Sequence, residues 1–267
     1  MKIARTIAEM RATLDAAGDI GLVPTMGALH EGHAALFRAA RMECDVVAAS
    51  IFVNPAQFGP AEDFAAYPRD EERDLRFAEE AGVDLVFAPA TDEMYPEHFQ
   101  TWVEVAGAGG GLEAEARPGH FRGVATVCLK LINIVQPRRA YFGQKDAQQA
   151  AVVKQVVKDL NLAVEIRIVP TVRDADGLAL SSRNAYLSAP ERKAALTLPR
   201  ALLAGEEAHR NGGDAVSAAR AVLAAEPAIA PDYVELARFN GALYLLGAAR
   251  VGRTRLIDNV VLEGAVQ

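Results

Sequence analysis

A parallel α/β sheet followed by a smaller α+β unit is the fold class this sequence predicts, and three observations predict it. Short apolar runs recur along the first two thirds of the chain, at 20–23, 45–52, 83–87, 139–143 and 164–169, the second of them rich in β-branched residues. Stretches of roughly a dozen residues with helical periodicity separate them, the spacing of strand–helix–strand units with right-handed crossovers. Beyond Pro170 the pattern changes to an alanine-rich helical stretch at 191–225 and further strand-like runs at 232–239 and 253–262. A domain boundary is therefore expected near residue 171, giving domains of 1–171 and 172–267. Apolar runs without polar alternation suit strands buried on both faces. Ligands of such a sheet belong at the carboxyl ends of its strands.

Taken in order, residues 5–17 have helical periodicity and stop at Gly18, and 20–23 form the first strand. The stretch from Gly21 to Ala40 passes through Pro24, Thr25 and Gly27 into a segment whose alanines, Leu36 and Phe37 recur at helical spacing, so it reads as strand, turn, helix. The second strand, 45–52, ends in a turn-rich loop holding Asn54 and Gln57. A helix is expected over 70–81, closing at Gly82, and a strand over 83–87. Residues 94–98 are loop, 101–105 a strand, and 107–111 a flexible run with four glycines. An apolar helix over 121–135, a strand over 139–143, a helix over 145–160 and a strand over 164–169 complete the α/β pattern. Residues 174–177 form a tight turn.

Composition narrows the function classes. The chain has 267 residues, 51% of them hydrophobic and 24% charged, which is the make-up of an ordinary globular protein with a sizeable core. A formal charge of −7 argues against wholesale binding to nucleic acid or to an anionic membrane, since either needs a basic field. The two cysteines, Cys44 and Cys128, lie far apart in apolar segments and suggest buried thiols rather than a zinc site or a disulfide framework. The first residues have no apolar run behind them, and no stretch of about 18 apolar residues occurs, so a cytoplasmic protein is expected.

Two of the five histidines, His30 and His33, sit three apart in the first strand–turn–helix. The zinc-protease spacing is four, and no third ligand stands nearby, which disfavours a metal there. Two readings remain open. One makes the pair no more than surface or capping side chains. The other makes the helix start an anion site, with Gly27 and Gly32 allowing close approach and the imidazoles donating to a phosphate whose charge grows in the transition state. Other polar clusters also follow strands: Asn54 and Gln57, then Arg117 to His120, then Gly143 to Gln149. Lys145 at a helix start opposes the dipole, which is easier to explain if it meets an anion. Ser181, Ser182 and Arg183 lie close to the expected boundary, where a mobile loop would close over a triphosphate.

Five stretches together closely resemble one family over nearly the whole chain: residues 24–33 (Pro-Thr-Met-Gly-Ala-Leu-His-Glu-Gly-His), 50–58 (Ser-Ile-Phe-Val-Asn-Pro-Ala-Gln-Phe), Tyr67-Pro68-Arg69, Phe142-Gly143-Gln144-Lys145-Asp146 and Ser181-Ser182-Arg183-Asn184. The family is that of the pantothenate synthetases, or pantoate–β-alanine ligases, within the His-x-Gly-His nucleotidyltransferase superfamily. The resemblance implies a Rossmann-type N-terminal domain, a C-terminal lid domain and a homodimer. It also implies a two-step reaction, in which pantoate and Mg-ATP give pantoyl adenylate and pyrophosphate, and β-alanine then displaces AMP to give pantothenate.

Carried onto matching positions, the resemblance implies that His30, His33, Lys145, Ser181, Ser182 and Arg183 contact ATP phosphates, with His30, His33, Lys145 and Arg183 counted as catalytic. Gly32, Gly143, Asp146 and Val172 join the ATP site. Met26 borders both ATP and pantoate, Gln57 and Gln149 hold pantoate, and Asn54, Glu113 and Arg117 complete the substrate site. Asp74 matches an acidic position near the Mg2+ ion. The chain departs from the family at Gln144, commonly Glu, at Asp70, usually Thr, at Ala147, commonly aromatic, and at Leu180, frequently Met. These departures bear on the fine geometry of the nucleotide site rather than the reaction class.

Two alternatives accompany that expectation. Another adenylyltransferase of the superfamily, acting on a phosphorylated acceptor, would need a further basic site, whereas Asn54, Gln57 and Gln149 are neutral. A non-enzymatic nucleotide-binding module would be expected to lose the histidine or lysine donors, and all are present.

Overall fold

Alternation of apolar side chains decides where the core lies. In the computed structural model, which describes residues 1–14, 18–60 and 62–265, neighbouring residues of each central strand enter two different cores. Leu22, Ala48, Leu85, Phe87, Ala140 and Phe142 pack into one, and Val23, Val47, Ala49, Val86 and Tyr141 into the other. Both faces of the sheet are thus covered, as the unbroken apolar runs require.

The chain forms two compact units. The first takes in residues 1–142 and 148–169, and the second takes in 143–147 together with the chain from Pro170 on. In the first, the elements run β1 (Lys2–Ala4), α1 (Ile7–Leu14), β2 (Ile20–Thr25), α2 (Glu31–Glu43), β3 (Val46–Ile51), α3 (Glu71–Glu80), β4 (Leu85–Phe87), α4 (Thr91–Met94), α5 (Glu113–Ala116), α6 (His120–Val135), β5 (Arg139–Gly143), α7 (Ala147–Asp159) and β6 (Glu165–Val169). Among the described residues the sheet is six-stranded and parallel, in the order β1-β4-β3-β2-β5-β6. The chain lays down β3 and β4 on one side of β2, then crosses to place β5 and β6 on the other. The strand order reverses between β2 and β5, and a crevice opens at the carboxyl ends of strands at such a point.

In the second unit α8 (Ala189–Ala195), α9 (Thr197–Arg210) and α10 (Ala215–Ala224) precede an antiparallel sheet, β7 (Ile229–Phe239), β8 (Ala242–Val251) and β9 (Thr254–Glu263). Its core joins Leu198, Leu202, Ala219 and Leu223 of the helices to Val234, Leu245 and Leu256 of the sheet. This matches the expected fold class, a Rossmann-like sheet with a smaller α+β unit.

Several local expectations need correction. Residues 101–105 form no strand; the Val103 amide donates to Thr126 Oγ1 on α6 at 3.0 Å, and Val103 and Val105 pack on the core from a loop. The helix expected over 191–225 is three helices. Asp214 starts the third by accepting from the amides of Val216 and Ser217, and Gly212 (φ +77°) makes the turn before it. The helix expected from Lys145 begins at Ala147, after a single 3-10 turn at Gln144–Asp146. The first helix covers Ile7–Leu14, and its expected last turn, 15–17, lies outside the described residues. Strands β1 and β8 are not among the expected elements.

Candidate active site

The turn after β2 is built by side chains that replace missing backbone partners. Thr25 Oγ1 donates to the Ser50 carbonyl at 2.5 Å and accepts from the Gly27 amide at 3.2 Å, tying the ends of β2 and β3 together. The chain then passes through Gly27 (φ +79°) and Ala28 (φ +50°), both in the left-handed region. Asp74 on α3, 1% exposed, holds this conformation: its Oδ2 accepts from the Ala28 amide at 2.7 Å and its Oδ1 from Leu29 at 2.8 Å. A Cβ on residue 27 would lie 2.8 Å from Asp74 Oδ2, so the carboxylate reaches the turn only because Gly27 has no side chain.

Helix α2 starts with a capping box made of two imidazoles. His30 is its N-cap; His30 Nδ1 accepts from the Gly32 amide at 3.1 Å, and His33 Nδ1 accepts from the His30 amide at 3.2 Å. The ring centroids are 4.1 Å apart. A ring nitrogen that accepts a hydrogen bond carries no proton, so in each neutral ring the proton is on Nε2. The capping reading and the donor reading are therefore compatible, because the cap itself fixes which nitrogen donates. The Gly32 amide is taken by His30 Nδ1, and each imidazole adds an N–H donor at this turn.

Beyond β3, Asn54 caps the 3-10 turn Pro55–Gln57 and is buried. Its Oδ1 accepts from the Ala56 amide at 3.2 Å and from Tyr95 Oη at 2.8 Å, while its Nδ2 donates to Gln57 Oε1 at 2.9 Å and to the Gly123 carbonyl at 3.2 Å. Every hydrogen-bonding position of this amide is used. Gln57 is thereby held with its carbonyl toward Asn54 and its NH2 group turned away from it. The turn lies so close to α6 that a Cβ at Gly123 would sit 2.2 Å from the Ala56 carbonyl oxygen.

His120 and Arg117 brace the same turn. His120 Nδ1 donates to the Gln57 carbonyl at 2.9 Å, since a carbonyl can only accept, and its Nε2 accepts from Arg117 Nη1 at 3.1 Å. Burial, and then the charge of Arg117, lower the His120 pKa to about 4. Arg117 also grips Glu62, the shortest contact being Nη2 to Oε2 at 2.6 Å. Burial pushes the Glu62 carboxyl up, but hydrogen bonding and charge from Arg117 outweigh it and the net shift is downward. Glu113 is buried at the start of α5, and its amide donates to Gln148 Oε1 at 3.1 Å. The four-glycine run expected to be flexible is held by Gln148 Nε2, which donates to the carbonyls of Ala108, Gly110 and Gly111. Met26 and Gln149 are half-buried, on the turn after β2 and on α7 respectively.

The second unit holds the remaining expected residues. Gly143, Lys145 and Asp146 lie on the turn between β5 and α7, with Lys145 Nζ 3.5 Å from Asp146 Oδ1 and the lysine side chain 18% exposed. Val172 accepts from the Leu180 amide at 3.0 Å across the turn expected at 174–177, and Arg173 pairs with Ala179 as an isolated bridge. Ser181 caps the 3-10 turn Ser182–Tyr186, its Oγ accepting from the Arg183 amide at 3.3 Å. Sequence reasoning did not single out Gln148, Tyr95 or Asn259, each of which orients a segment holding expected site residues. No local motif marks them, because their partners are remote in sequence.

A family model described as Pantoate-beta-alanine ligase matches residues 2–261. The chain belongs to that family. A pantothenate synthetase from Chloroflexus aurantiacus is 56% identical over 279 residues, covering 99% of this chain and 99% of the relative. Among solved structures, the pantothenate synthetase of Thermus thermophilus superposes with a TM-score of 0.95 at 49% identity, covering 99% of this chain and 100% of that one. The pantoate-beta-alanine ligase of Francisella tularensis, complexed with beta-gamma ATP and beta-alanine, has a TM-score of 0.84 at 34% identity over 100% of both chains. The activity is that of the family, an ATP-dependent ligase that joins pantoate to β-alanine in pantothenate biosynthesis. Among the described residues no helix is long and apolar enough to cross a membrane.

Proposed function

We propose that this ligase activates pantoate at the turn after β2, using His30 and His33 as neutral Nε2–H donors to the ATP phosphates. The observation that carries this reading is the capping box, which assigns both Nδ1 atoms to backbone amides and so places the donating proton of each ring on Nε2. Attack of the pantoate carboxylate on the α-phosphate gathers anions at one point, and donors aimed at the departing pyrophosphate offset that charge. Lys145, Ser181, Ser182 and Arg183 serve the same triphosphate, with Gly143, Asp146 and Val172 serving the nucleoside and Met26 and Gly32 bordering it.

Gln57 and Gln149 hold pantoate, with Met26 beside it. Asn54 acts through Gln57, because its own hydrogen bonds are all taken. Arg117, clamped by Glu62, and buried Glu113 shape the same site. In the second step the β-alanine amine attacks the acyl carbon and AMP departs, so the site must keep water from the adenylate. We assign the second unit as the lid, with a homodimer and a cytoplasmic setting as the family implies.

Magnesium chemistry at ATP consists of shielding phosphate charge. Such an ion is held chiefly by the phosphates it shields, and each Asp74 oxygen already accepts a backbone amide. Asp74 is assigned instead to the shape of the turn.

The test is to mix enzyme with pantoate and Mg-ATP alone. Pyrophosphate should appear in an amount stoichiometric with enzyme, and AMP should follow only when β-alanine is added. A requirement for β-alanine before any pyrophosphate appears would remove the adenylate intermediate.

A further inference from the structure

We propose that Asn259, on β9, is a positioning residue for Lys145. The proposal rests on the role given to Lys145 above and goes beyond it, by naming what fixes the lysine.

The turn that carries Lys145 has almost no secondary structure of its own, being one 3-10 turn with no side-chain cap. A buried amide holds it. Asn259 is 1% exposed, and its Nδ2 donates to the carbonyls of both Gln144 and Lys145, each at 2.9 Å. Gln144 Nε2 returns a bond to Asn259 Oδ1 at 3.2 Å. Two hydrogens of one NH2 group thus fix two consecutive peptide planes, and the direction in which the Lys145 side chain leaves the backbone follows from them.

The neighbouring residue does the same for the other phosphate-binding segment of this unit. Asp258 receives Arg173 in a bidentate pair, at 2.6 and 3.0 Å, and its Oδ1 also accepts from the Asn259 amide at 2.9 Å. Arg173 in turn donates to the Gly177 carbonyl at 3.2 Å, in the turn that leads to Ser181. One dipeptide of β9 therefore sets both segments, and supporting groups of this kind govern how closely a site is held to its working geometry.

A Glu at 144 would turn a carboxylate oxygen toward Asn259 Oδ1, acceptor against acceptor, whereas Gln144 supplies the donor that Asn259 can receive.

The experiment is a double-mutant cycle on pyrophosphate release from pantoate and Mg-ATP, with N259A, K145A and the double variant. We expect N259A to slow release at least tenfold in the wild-type background and to change it less than twofold in the K145A background. Q144A, which removes one of the three bonds, should show the same pattern with a smaller loss and serves if N259A does not fold. If K145A is too slow to follow, the same cycle read as ATP affinity by calorimetry takes its place. Wild-type release by N259A, or equal proportional losses in both backgrounds, overturns the proposal, the second because a merely structural role is blind to Lys145. Wild-type release by K145A alone overturns the reading of Lys145 itself, a failure that does not involve Asn259.

Discussion

The two histidine clusters of the first unit use the same ring in opposite senses. In His30 and His33, Nδ1 accepts from backbone amides at a helix start, and the proton sits on Nε2, away from the cap. In His120, Nδ1 donates to the Gln57 carbonyl and Nε2 accepts from Arg117. The first arrangement puts an N–H donor on the far side of each ring from the backbone, while the second spends both nitrogens on the protein and makes the ring an internal strut. A histidine near an active site is thus assigned by what its neighbours ask of Nδ1, not by proximity.

Removing one donor of the first cluster should have the largest effect. His33→Ala is expected to lower pyrophosphate release a hundred- to a thousandfold, about 2.7 to 4 kcal/mol of transition-state stabilisation, with the fold retained by circular dichroism. Near wild-type turnover would sink the role given to His33.

The strut should instead show itself in stability against pH. The His120 pKa is lowered from 6.5 to about 4, so between those values the unfolded chain holds a proton on this ring that the folded chain lacks. Stability therefore falls as pH drops through that window, by up to about 3 kcal/mol at 1.36 kcal/mol per pKa unit. In denaturant titrations His120→Gln should flatten this part of the pH profile. An unchanged slope between pH 6.5 and 4 would mean that another group titrates there.

Asp74 offers a way to separate turn shape from donor chemistry. Asp74→Asn replaces one acceptor with an NH2 group facing an amide, so a stability loss of about 2 kcal/mol is expected, as for other charge-assisted bonds. Release of pyrophosphate should fall together with it at saturating magnesium. Restoration of the rate by added magnesium would return Asp74 to a metal role. The smallest effect is expected from Tyr95→Phe, which removes one of the four bonds on Asn54 at about 1 kcal/mol and should raise the KM for pantoate several-fold while leaving that for ATP unchanged.

Much of the first unit was legible because its physics is local. Runs such as Val46–Ile51 and Leu85–Phe87 are buried on both faces, so burial is written in their apolar, β-branched side chains. Strand β1 has three residues and exists by pairing with β4, a long-range event that leaves no pattern in so short a stretch. Strand β8 carries Gly247, Ala248 and Ala249 at its centre, where small residues that fit beneath the helices blur the strand signal. The loop at 101–105 misled for the opposite reason, since its valines are apolar for the core and not for a neighbouring strand.

At the site, the hydrogen-bond senses of the expected residues were not readable from the sequence. Asn54 was expected to touch substrate, yet its amide is filled by Gln57, Tyr95, Ala56 and Gly123, of which only Ala56 and Gln57 are near in sequence. His30 is an unusual cap residue, so the capping box that fixes its tautomer carries no ordinary sequence signature. Asn259 meets Lys145 across more than a hundred residues, and nothing around it in the sequence marks it.

His30 and His33 are proposed to reach the triphosphate as neutral Nε2–H donors. The most direct measurement is a long-range proton–nitrogen correlation spectrum of histidine-labelled enzyme, with and without pantoate and a β,γ-blocked ATP analogue. Both rings should carry the proton on Nε2 in the free enzyme, and these two Nε2–H signals should shift on nucleotide binding while those of His120 stay in place. Nδ1–H tautomers, or rings indifferent to the nucleotide, would contradict it.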